Sequence, residues 1–359
     1  MSVYEFLKEN QMLAESFDPS EIERVYFDAA RTRNTLEMIT SYYVPKYGDL
    51  PKENILTIDA GGTNLRFAFY QNGQIVSENR MPMFGTYGKI TADEFFDLMA
   101  AEIDKYDTDK VGFSFAYVCE ILPDKDARII SFTKEIEVED SENRIIGQEI
   151  NKRLSRKRQF AILNDTVAAQ LGVCADAAII LGTGFNISYF DKSRQMIIDT
   201  ESGQYKLLPE GVLDKVLNKS CIMASVAEKQ ISGAYLGRLI RITAEEYFGR
   251  KLPDFELSDV SEFMSGGVGP FDELTSSEKD DLKQIVTLLM ERAANRIAIM
   301  LKVLLKGYEH PSVALEGSTV YKLPGYFDEL KKQTEKIGLS VNFVDARNTI
   351  TLGCIRSLM

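Results

Sequence analysis

The fold is decided by the stretch ILTIDAGGTNLRFAFYQNGQIVSE, residues 55–78, and its counterpart AAIILGTGFNISYFDKSRQMII, residues 177–198. Aligning Gly62-Thr63 with Gly182-Thr183 brings the two stretches into register. In each, an apolar strand runs into a turn of small residues, and a second strand, a polar turn and a third strand follow. The chain therefore contains two copies of one β-hairpin unit.

The two turns have the composition of a phosphate-binding site. Glycine and threonine present backbone N–H groups and a hydroxyl, which together can hold phosphate oxygens. Around the first turn, Asp59 can hold a hydrated cation and Arg66 adds a fixed positive charge. Neither turn matches GxxxxGK[ST] or GxGxxG. The alternative is a tight hairpin turn with an exposed arginine, but the second copy favours a clamp around a nucleotide.

The composition limits the classes of partner. A net charge of −12 over 359 residues argues against a nucleic-acid surface, which needs patches of Lys and Arg. The four cysteines form no CxxC pair and are typical of free thiols in a reducing compartment. The N-terminus lacks the features of a signal peptide, and no apolar run has membrane-spanning length. We therefore expect a cytoplasmic protein that binds neither nucleic acid nor a membrane.

The elements expected along the chain indicate α/β layering. A capped helix is predicted to begin near Asp18 and to run over 18–44, and Thr91 is predicted to cap a helix over 91–105. The chain is expected to be largely helical over 211–306. Three meandering strands before each helical stretch predict mixed sheets, unlike an all-parallel sheet.

Asn164-Asp165-Thr166 is the candidate catalytic segment. It lies between the short apolar strand FAILN and a helix. A carboxylate there lies near the end of the sheet, where open α/β sheets place their ligands, and it could accept a proton from a hydroxyl group. The other interpretation is a helix N-cap, a common position for Asp. His310 is the only histidine and is expected to be a loop residue, so we expect the general base to be a carboxylate.

Six segments, in matching order, resemble motifs of the hexokinase family, which includes eukaryotic hexokinases and glucokinase. LTIDAGGTNLRFAFY resembles the first phosphate motif, ISFTKEIEVED the sugar-binding segment and FAILNDTVAAQ the catalytic NDT motif. IILGTGFNISYF resembles the second phosphate motif, AEKQISGAYLGRLIR the family's ISGxYLGE segment, and LEGSTVYKLPGYF the adenosine motif. The matches run from about residue 20 to residue 359, nearly the whole chain.

The resemblance implies an α/β protein of actin-like, ribonuclease H-like fold, with two lobes of mixed sheets around a central cleft. The small lobe would span 53–164, joined by the C-terminal helix 347–359. The large lobe would span 165–346, joined by the N-terminal helical segment 1–52. The implied reaction is phosphorylation of the 6-hydroxyl of glucose or a similar hexose by ATP, with Mg²⁺.

The resemblance also implies roles for individual residues. Asp165 would be the general base, acting with Lys134 and Arg66. The residues implied to hold the sugar are Thr133, Lys134, Asn164, Asp165, Asn186, Glu201 and Glu228. Those implied to surround the nucleotide are Asp59, Gly61, Gly62, Thr63, Asn64, Arg66, Gly182, Thr183, Gly184, Gly317, Ser318 and Thr319. No residue is expected to ligate Mg²⁺ directly; Asp59 and Asp165 would lie near it through water.

Several positions depart from the family's pattern, mainly on the sugar side. The segment SFAYV has Ala116 and Val118 where the family has Ser and Pro, and IDTESG has Asp199 for Asn and Ser202 for an aromatic residue. Glu316 replaces Asp in the adenosine motif. Two alternatives follow: a kinase for mannose, fructose or an amino sugar, or a non-catalytic sugar sensor. Retention of Asp165, Lys134 and Arg66 argues against the sensor.

Overall fold

A computed structural model describes residues 1–14, 20, 24, 39–62, 64–132, 136–206, 208–221, 225–267 and 269–359. Its strands are β1 Ile39–Thr40, β2 Ile55–Ala60, β3 Asn64–Gln71, β4 Gln74–Pro82, β5 Ile90–Thr91, β6 Lys110–Phe115, β7 Val118–Ile121, β8 Ala127–Ser131, β9 Val138–Glu139, β10 Gln159–Leu163, β11 Ala177–Leu181, β12 Phe185–Asp191, β13 Met196–Asp199, β14 Ser312–Glu316 and β15 Asn342–Asp345.

The α-helices occur singly between strands in most of the chain and in succession between β13 and β14. They are α1 Val3–Glu9, α2 Ala92–Ile103, α3 Ile146–Asn151, α4 Asp165–Val173, α5 Val212–Ser220, α6 Val226–Ile231, α7 Gly233–Phe248, α8 Leu257–Met264, α9 Ser276–Leu304, α10 Ser318–Lys322, α11 Tyr326–Lys336 and α12 Ile350–Arg356. Single 3₁₀ turns lie at Ser202–Gln204 and Gly269–Phe271.

Two mixed sheets form the centres of the two lobes, and the second repeats the first. The first has the order β10-β6-β2-β3-β4, and the second has the order β1-β13-β12-β11-β14-β15. In the first, β2, β3 and β4 form an antiparallel meander, while β6 and β10 join in parallel. In the second, β11, β12 and β13 form the same meander, and β14 and β15 join in parallel. The duplication predicted from the two hairpin units is confirmed, together with the α/β mixed-sheet fold.

Two helices lie between the sheets. One apolar cluster joins Ile55 and Leu163 of the first sheet, Leu171 of α4, Ile197 of the second sheet and Ile355 of α12. The helices α4 and α12 approach so closely that a side-chain methyl at Gly353 would overlap the carbonyl of Ala168. Because α4 begins with Asp165 and packs between both sheets, a carboxylate at its first residue lies where the strand ends of the two lobes face each other.

The predicted helix at 91 is confirmed. The structure begins α2 at Ala92, with Thr91 as N-cap. The Thr91 hydroxyl accepts a hydrogen bond from the amide of Glu94, and the Glu94 carboxylate accepts one of 2.8 Å from the amide of Thr91. This reciprocal pair satisfies two amide groups that the first helical turn leaves without partners. The helical character of 211–306 is also confirmed, in α5 to α9.

The helix predicted over 18–44 is wrong at its C-terminal end. Most of that range lies outside the described residues, but Ile39–Thr40 form a strand that pairs antiparallel with β13. Backbone hydrogen bonds continue this pairing, from the amide of Ser41 to the carbonyl of Ile197 and from the amide of Ile197 to the carbonyl of Tyr43. Pairing with the sheet edge outweighs the local helical periodicity, which is a weak determinant next to tertiary contacts.

Both termini are anchored. Helix α1 places Val3, Phe6 and Leu7 in the apolar core of the second sheet, and α12 lies between the sheets. The lobe boundaries 53–164 and 165–346 stay a prediction. The four cysteines are free thiols, and His310 is an exposed loop residue whose ring nitrogen lies 3.0 Å from the Ser340 hydroxyl. Among the described helices, none is long and apolar enough to cross a membrane.

Candidate active site

Asp59 is the second-to-last residue of β2 and lies beside the first glycine turn. The hydroxyl of Ser114, on the neighbouring strand β6, donates a 3.2 Å hydrogen bond to Asp59 Oδ1, and Arg66 Nη1 lies 3.7 Å from Asp59 Oδ2. Burial and the nearby Asp165 carboxylate raise the pKa of Asp59 to about 6, against the opposing effect of Arg66 and Ser114. The Arg66 side chain is 55 % exposed, so most of its guanidinium remains open to a ligand.

The first turn is closed by backbone and side-chain contacts. The amide of Gly61 donates to the carbonyl of Asn64 at 3.0 Å, and the hydroxyl of Tyr117 donates to the carbonyls of Gly61 and Gly62. The Asn64 side chain accepts a hydrogen bond from Arg80 Nε at 3.1 Å. Thr63, predicted as a phosphate ligand, lies outside the described residues.

Asn164, not Asp165, is the N-cap of α4. The Asn164 side-chain oxygen accepts a 2.7 Å hydrogen bond from the amide of Thr166. Asp165 is the first helical residue, and one of its oxygens accepts a 3.2 Å hydrogen bond from the Thr166 hydroxyl. The cap interpretation therefore applies to Asn164 and not to Asp165. A carboxylate in the first turn is also stabilised by the helix dipole.

Three hydrogen-bond donors bind the backbone carbonyls of the second glycine turn. The amides of Gly233 and Ala234, at the start of α7, donate to the carbonyls of Gly182 and Thr183 at 2.9 and 3.1 Å. The buried Thr319 hydroxyl donates to the carbonyl of Gly182 at 2.8 Å. In a trans peptide the N–H points away from the C=O of the same unit. The N–H groups that follow the carbonyls of Gly182 and Thr183 therefore point away from these donors.

The segment that follows β14 lies against this turn. Ser318 borders Gly182, and Gly317 has φ of +122°, a region in which a side chain is strained. A side chain at Gly317 would also overlap the backbone of Leu181. The structure thus brings the predicted adenosine residues Gly317, Ser318 and Thr319 to the second turn, with Thr319 supporting the turn through its hydroxyl.

Glu316, at the end of β14, faces the same region. Burial, and then the carboxylate of Asp345, raise the pKa of Glu316 to about 7, while Arg66 lowers it. Among the described residues, no donor reaches its buried Oε2 atom. Arg66 lies on β3 after the first glycine turn, so its effect on the pKa of Glu316 indicates that the two turns lie near each other.

The second hairpin unit contributes a buried polar cluster. Asn186 Nδ2 donates to Asp199 Oδ1 at 2.7 Å, and Asn186 Oδ1 accepts from the amides of Ile187 and Ser202 at 2.7 and 3.1 Å. Asp199 is 1 % exposed, and burial above all raises its pKa to about 7. Burial of the Glu201 carboxylate, and then the charge of Asp199, hold the pKa of Glu201 well above the ordinary value of a glutamate.

Glu201 and Glu228, both predicted to hold sugar hydroxyls, lie on different elements, and the Glu228 carboxylate lies beside Gly203, two residues after Glu201. Glu201 has φ of 48°, which is uncommon outside glycine, and Gln204 Nε2 donates to its carboxylate at 3.3 Å. The Glu228 carboxylate, on α6, lies between Gly184 and Gly203, and a side chain at Gly203 would overlap it. Glycine at position 203 therefore makes room for the Glu228 carboxylate.

Asp165 is the common neighbour of these acids. Its charge raises the pKa of Asp59, Asp199, Glu201 and Glu316, which come from both lobes. Thr133 and Lys134, the remaining predicted sugar ligands, lie outside the described residues. The preceding residue Phe132 packs in the small lobe, 5.3 Å between ring centroids from Phe95.

Sequence reasoning missed two contributors to this site. Ser114 holds Asp59, and Tyr117 holds the first turn. The signal for Ser114 was its place in the apolar run KVGFSF, where a polar residue on a buried strand needs a partner. The bond from Tyr117 depends on the parallel pairing of β2 with β6, which periodicity does not reveal.

The carboxylates near the glycine turns suit a Mg²⁺ ion that is bound through water. Within the described ranges, no group of three His, Cys, Asp or Glu side chains is close enough together to hold a metal ion. Asp59, Asp165 and Glu316 are carboxylates near the glycine turns, and Mg²⁺ commonly keeps several waters while bound to one or two carboxylates and to substrate phosphates. These residues fit a hydrated cation carried by a nucleotide.

The sequence matches known hexokinases. The two family models described as hexokinase match residues 13–175 and 176–256. Hexokinase-2 of Oryza sativa subsp. japonica is 26 % identical over 279 residues, covering 63 % of this chain and 56 % of that protein. Hexokinase-1 of Schizosaccharomyces pombe is 24 % identical over 375 residues, covering 83 % of this chain and 77 % of that protein. The chain spans about half the length of several curated relatives, including 45 % of Hexokinase-5 of Oryza sativa subsp. japonica.

Solved structures share the fold. The hexokinase from Schistosoma mansoni complexed with glucose superposes with a TM-score of 0.75 at 17 % identity, covering 100 % of both chains. A ROK family glucokinase from Streptomyces griseus, in complex with glucose and AMPPNP, superposes with a TM-score of 0.55 at 18 % identity, covering 85 % of this chain and 98 % of that chain. These likenesses show the two-lobed kinase fold, and the family models extend over well more than half of the sequence. The chain belongs to the hexokinase family.

Proposed function

We propose that the chain is a hexose kinase that transfers a phosphoryl group from ATP to the 6-hydroxyl of glucose or a similar hexose. The observation that carries this proposal is the position of Asp165. It begins a helix between the two sheets, and its charge acts on acids of both glycine turns and of the sugar-side cluster. One carboxylate thus adjoins the proposed sites of both substrates.

Asp165 is the proposed general base. Phosphoryl transfer requires a positioned acceptor for the proton of the attacking hydroxyl and needs little covalent chemistry from the protein. Asp165 accepts a hydrogen bond from the Thr166 hydroxyl, and an ionised carboxylate can accept several hydrogen bonds, including one from a sugar hydroxyl. The bond O6–phosphorus forms as the γ-phosphorus–oxygen bond of ATP breaks, the O6 proton passes to Asp165, and ADP leaves.

The glycine turns are the proposed phosphate sites. In both turns, hydrogen bonds fix the backbone carbonyls. Tyr117 donates to those of Gly61 and Gly62 in the first turn. The start of α7 and Thr319 donate to those of Gly182 and Thr183 in the second. Amides turned toward the cleft, together with the exposed Arg66 guanidinium, would receive the anionic oxygens. When bound with the nucleotide, Mg²⁺ would neutralise charge that develops on the phosphates; Asp59 and Glu316 would hold its waters.

The residues proposed to bind the sugar are Asn164, Asn186, Glu201 and Glu228, with Thr133 and Lys134. Carboxylates and amides that converge in a half-buried place suit a ligand rich in hydroxyl groups. Such a site rejects a sugar that lacks a hydroxyl, because a buried polar group would then lose its partner. The glucose in the Schistosoma mansoni hexokinase structure supports glucose as the first sugar to try.

A coupled assay for ADP release tests the proposal. The purified chain is incubated with ATP, Mg²⁺ and, in turn, glucose, mannose, fructose and glucosamine, and the product is analysed for a 6-phosphate ester. We expect turnover with at least one of these sugars and little ATP hydrolysis without sugar. Sugar-dependent thermal stabilisation without any phosphorylated product would overturn the kinase proposal and favour a sugar sensor.

A further inference from the structure

The Asp199 carboxylate is enclosed at the end of β13. Asp199 is 1 % exposed, and it pairs with Ile39 and Ser188 on the neighbouring strands, neither of which carries a charge. Its Oδ1 atom accepts hydrogen bonds from Asn186 Nδ2 at 2.7 Å and from the amide of Glu201 at 3.3 Å. No N–H or hydroxyl group of the described residues reaches its Oδ2 atom, which is also buried. One oxygen of Asp199 therefore has two donors, and the other has no conventional donor.

The Glu201 carboxylate lies within hydrogen-bonding reach of the Asp199 carboxylate. Glu201 is half-buried, and its φ of 48° is uncommon for a residue with a side chain. Gln204 Nε2 donates to the Glu201 carboxylate at 3.3 Å. Two ionised carboxylates contain no donor, so a hydrogen bond between them needs a proton. The contact therefore places a shared proton between the two side chains.

The groups around this pair oppose a second negative charge. Asp165, at the start of α4, acts on both carboxylates, and Glu228 of α6 lies against the 3₁₀ turn that follows Glu201. Cys119 of β7 is also near: burial, and then the charges of Asp199 and Glu201, raise the pKa of its thiol and keep it neutral. Burial above all raises the pKa of both carboxylates. Because desolvation and like charges act in the same direction, the pair retains a proton near neutral pH.

We infer that Asp199 is a positioning residue that holds Glu201 toward the hexose through one shared proton, and that hexose affinity falls once this proton is lost. The inference rests on the proposed function, because it takes Glu201 and Asn186 as sugar ligands. With the proton present, Asp199 binds the Asn186 amide through Oδ1 and the Glu201 carboxylate through the proton. Without it, two adjacent charges repel each other at low dielectric, and Glu201, the less buried of the two, is displaced.

The Asp199→Asn variant tests the inference, because asparagine has nearly the same shape and carries a donor that does not titrate. Its oxygen can accept from Asn186, and its amide can donate to an ionised Glu201. Calorimetry measures the dissociation constant of glucose from pH 7 to pH 9, without nucleotide. In the unmodified protein we expect this constant to rise about threefold or more over that range, within the limit of about tenfold per pH unit that linkage sets for one proton. In Asp199→Asn we expect it to change by less than about twofold.

Glu316→Gln is the matched control. Burial, and then the Asp345 carboxylate, raise the pKa of Glu316 to about 7, as burial does for Asp199. Glu316 ends β14, beside the proposed nucleotide turn, so the variant removes a similar acid from outside the proposed sugar site. We expect Glu316→Gln to keep the pH dependence of the unmodified protein. A dissociation constant that stays level or falls as the pH rises in the unmodified protein would overturn the inference, and so would an equal response of the two variants.

Proton counting gives a second measurement of the same effect. Calorimetry at pH 9, in buffers of different ionisation enthalpy, measures the protons taken up when glucose binds. We expect net uptake in the unmodified protein, because the bound state restores the shared proton, and none in Asp199→Asn. Release of protons on binding would mean that the sugar prefers the doubly ionised pair, which contradicts the inference.

Infrared spectroscopy of the sugar-free protein separates this inference from the proposed function. The C=O stretch of a protonated carboxyl group is distinct from the bands of a carboxylate. At pH 7 we expect this band to be weaker in Asp199→Asn than in the unmodified protein, because the shared proton is gone. Equal bands in the two proteins would show that Asp199 and Glu201 share no proton. No phosphorylated product from the unmodified protein would refute the proposed function, whereas the infrared spectrum decides the state of the pair without ligand or turnover.

Discussion

Asn186 Nδ2 donates a 2.7 Å hydrogen bond to Asp199 Oδ1, and this bond fixes the orientation of the Asn186 amide. The Asn186 oxygen accepts from the backbone amides of Ile187 and Ser202, so a flip of the side chain would lose three hydrogen bonds. One proton on Nδ2 remains for a ligand. In this orientation Asn186 offers a donor to a sugar hydroxyl, because its oxygen is already occupied.

The Asp199→Asn variant is expected to be more stable than the unmodified protein at pH 8, by a margin that becomes smaller as the pH falls to 5. The folded state raises the pKa of Asp199 to about 7 from 3.8, so folding takes up a proton between these values. Stability is therefore full below about pH 4 and falls as the pH rises toward 7, on the order of 1 kcal/mol per unit. Asparagine removes this titration, can still accept from Asn186 and can donate to Glu201.

Thermal unfolding from pH 5 to pH 8 measures this difference. The exposed Asp272→Asn variant is the control for removal of one negative charge. We expect the difference in melting temperature between Asp199→Asn and the unmodified protein to grow with pH, and that of Asp272→Asn to stay flat. A difference that shrinks as the pH rises would show that Asp199 is more acidic in the folded state than in the unfolded chain.

Asp165→Asn is expected to lower kcat by about 10²- to 10⁴-fold, which is the range for loss of a general base. Asparagine keeps the size of the side chain at the first residue of α4 but cannot take the O6 proton. The dissociation constant of glucose is expected to change by less than about tenfold, because one hydrogen-bond acceptor remains.

Steady-state kinetics of Asp165→Asn measures kcat, and calorimetry measures the dissociation constant of glucose. Asp272→Asn is again the exposed control. A variant that keeps more than about a tenth of the original kcat would disprove the assignment of Asp165 as base.

Thr319→Val is expected to raise the KM for ATP about fivefold, with a smaller change in the KM for sugar. The Thr319 hydroxyl holds the carbonyl of Gly182, and valine keeps the shape of the side chain without that donor. Thr334→Val is a matched control, because Thr334 is 2 % exposed and its hydroxyl also donates to a backbone carbonyl, that of Lys331, away from the turn. Equal KM values for ATP in the two variants would count against a role of Thr319 in supporting the turn.

Gly353→Ala is expected to destabilise the protein by about 1–3 kcal/mol, since the added methyl would overlap the Ala168 carbonyl where α12 meets α4. Helix propensity alone predicts the opposite sign, a gain of about 1 kcal/mol for alanine over glycine. Urea unfolding decides between them. An increase in the free energy of unfolding would mean that the two helices can separate without cost.

Much of the site could be predicted from the sequence because its residues follow strand ends. Asp59 lies near the end of β2, Gly61 and Gly62 follow that strand, Asp165 follows β10, and Gly182 follows β11. Apolar strands and small-residue turns are local signals, so the duplication, the mixed sheets and the approximate place of the catalytic carboxylate could be inferred from them. The capped helix at Thr91 is of the same kind, because capping depends on residues three apart.

The assignments that failed or were missed depend on distant parts of the chain. Ile39–Thr40 form a strand because the edge of β13 accepts them, although the local periodicity is helical. Tyr117 reaches the carbonyl of Gly61, 56 residues away, only because β6 pairs beside β2.

By itself, the sequence determined that two hairpin units carry glycine turns and that an acid follows a buried strand, since each of these features is encoded within about twenty neighbouring residues. The tertiary structure decided which acids share one environment. Burial above all, together with the nearby Asp165 carboxylate, raises the pKa of Asp199. Burial, and then the carboxylates of Asp199 and Asp165, raise the pKa of Glu201, a consequence of desolvation and distance that residue order does not contain. The tertiary structure also decided that the hydroxyls of Tyr117 and Thr319 bind carbonyls of the two turns, because those contacts exist only once the strands have paired.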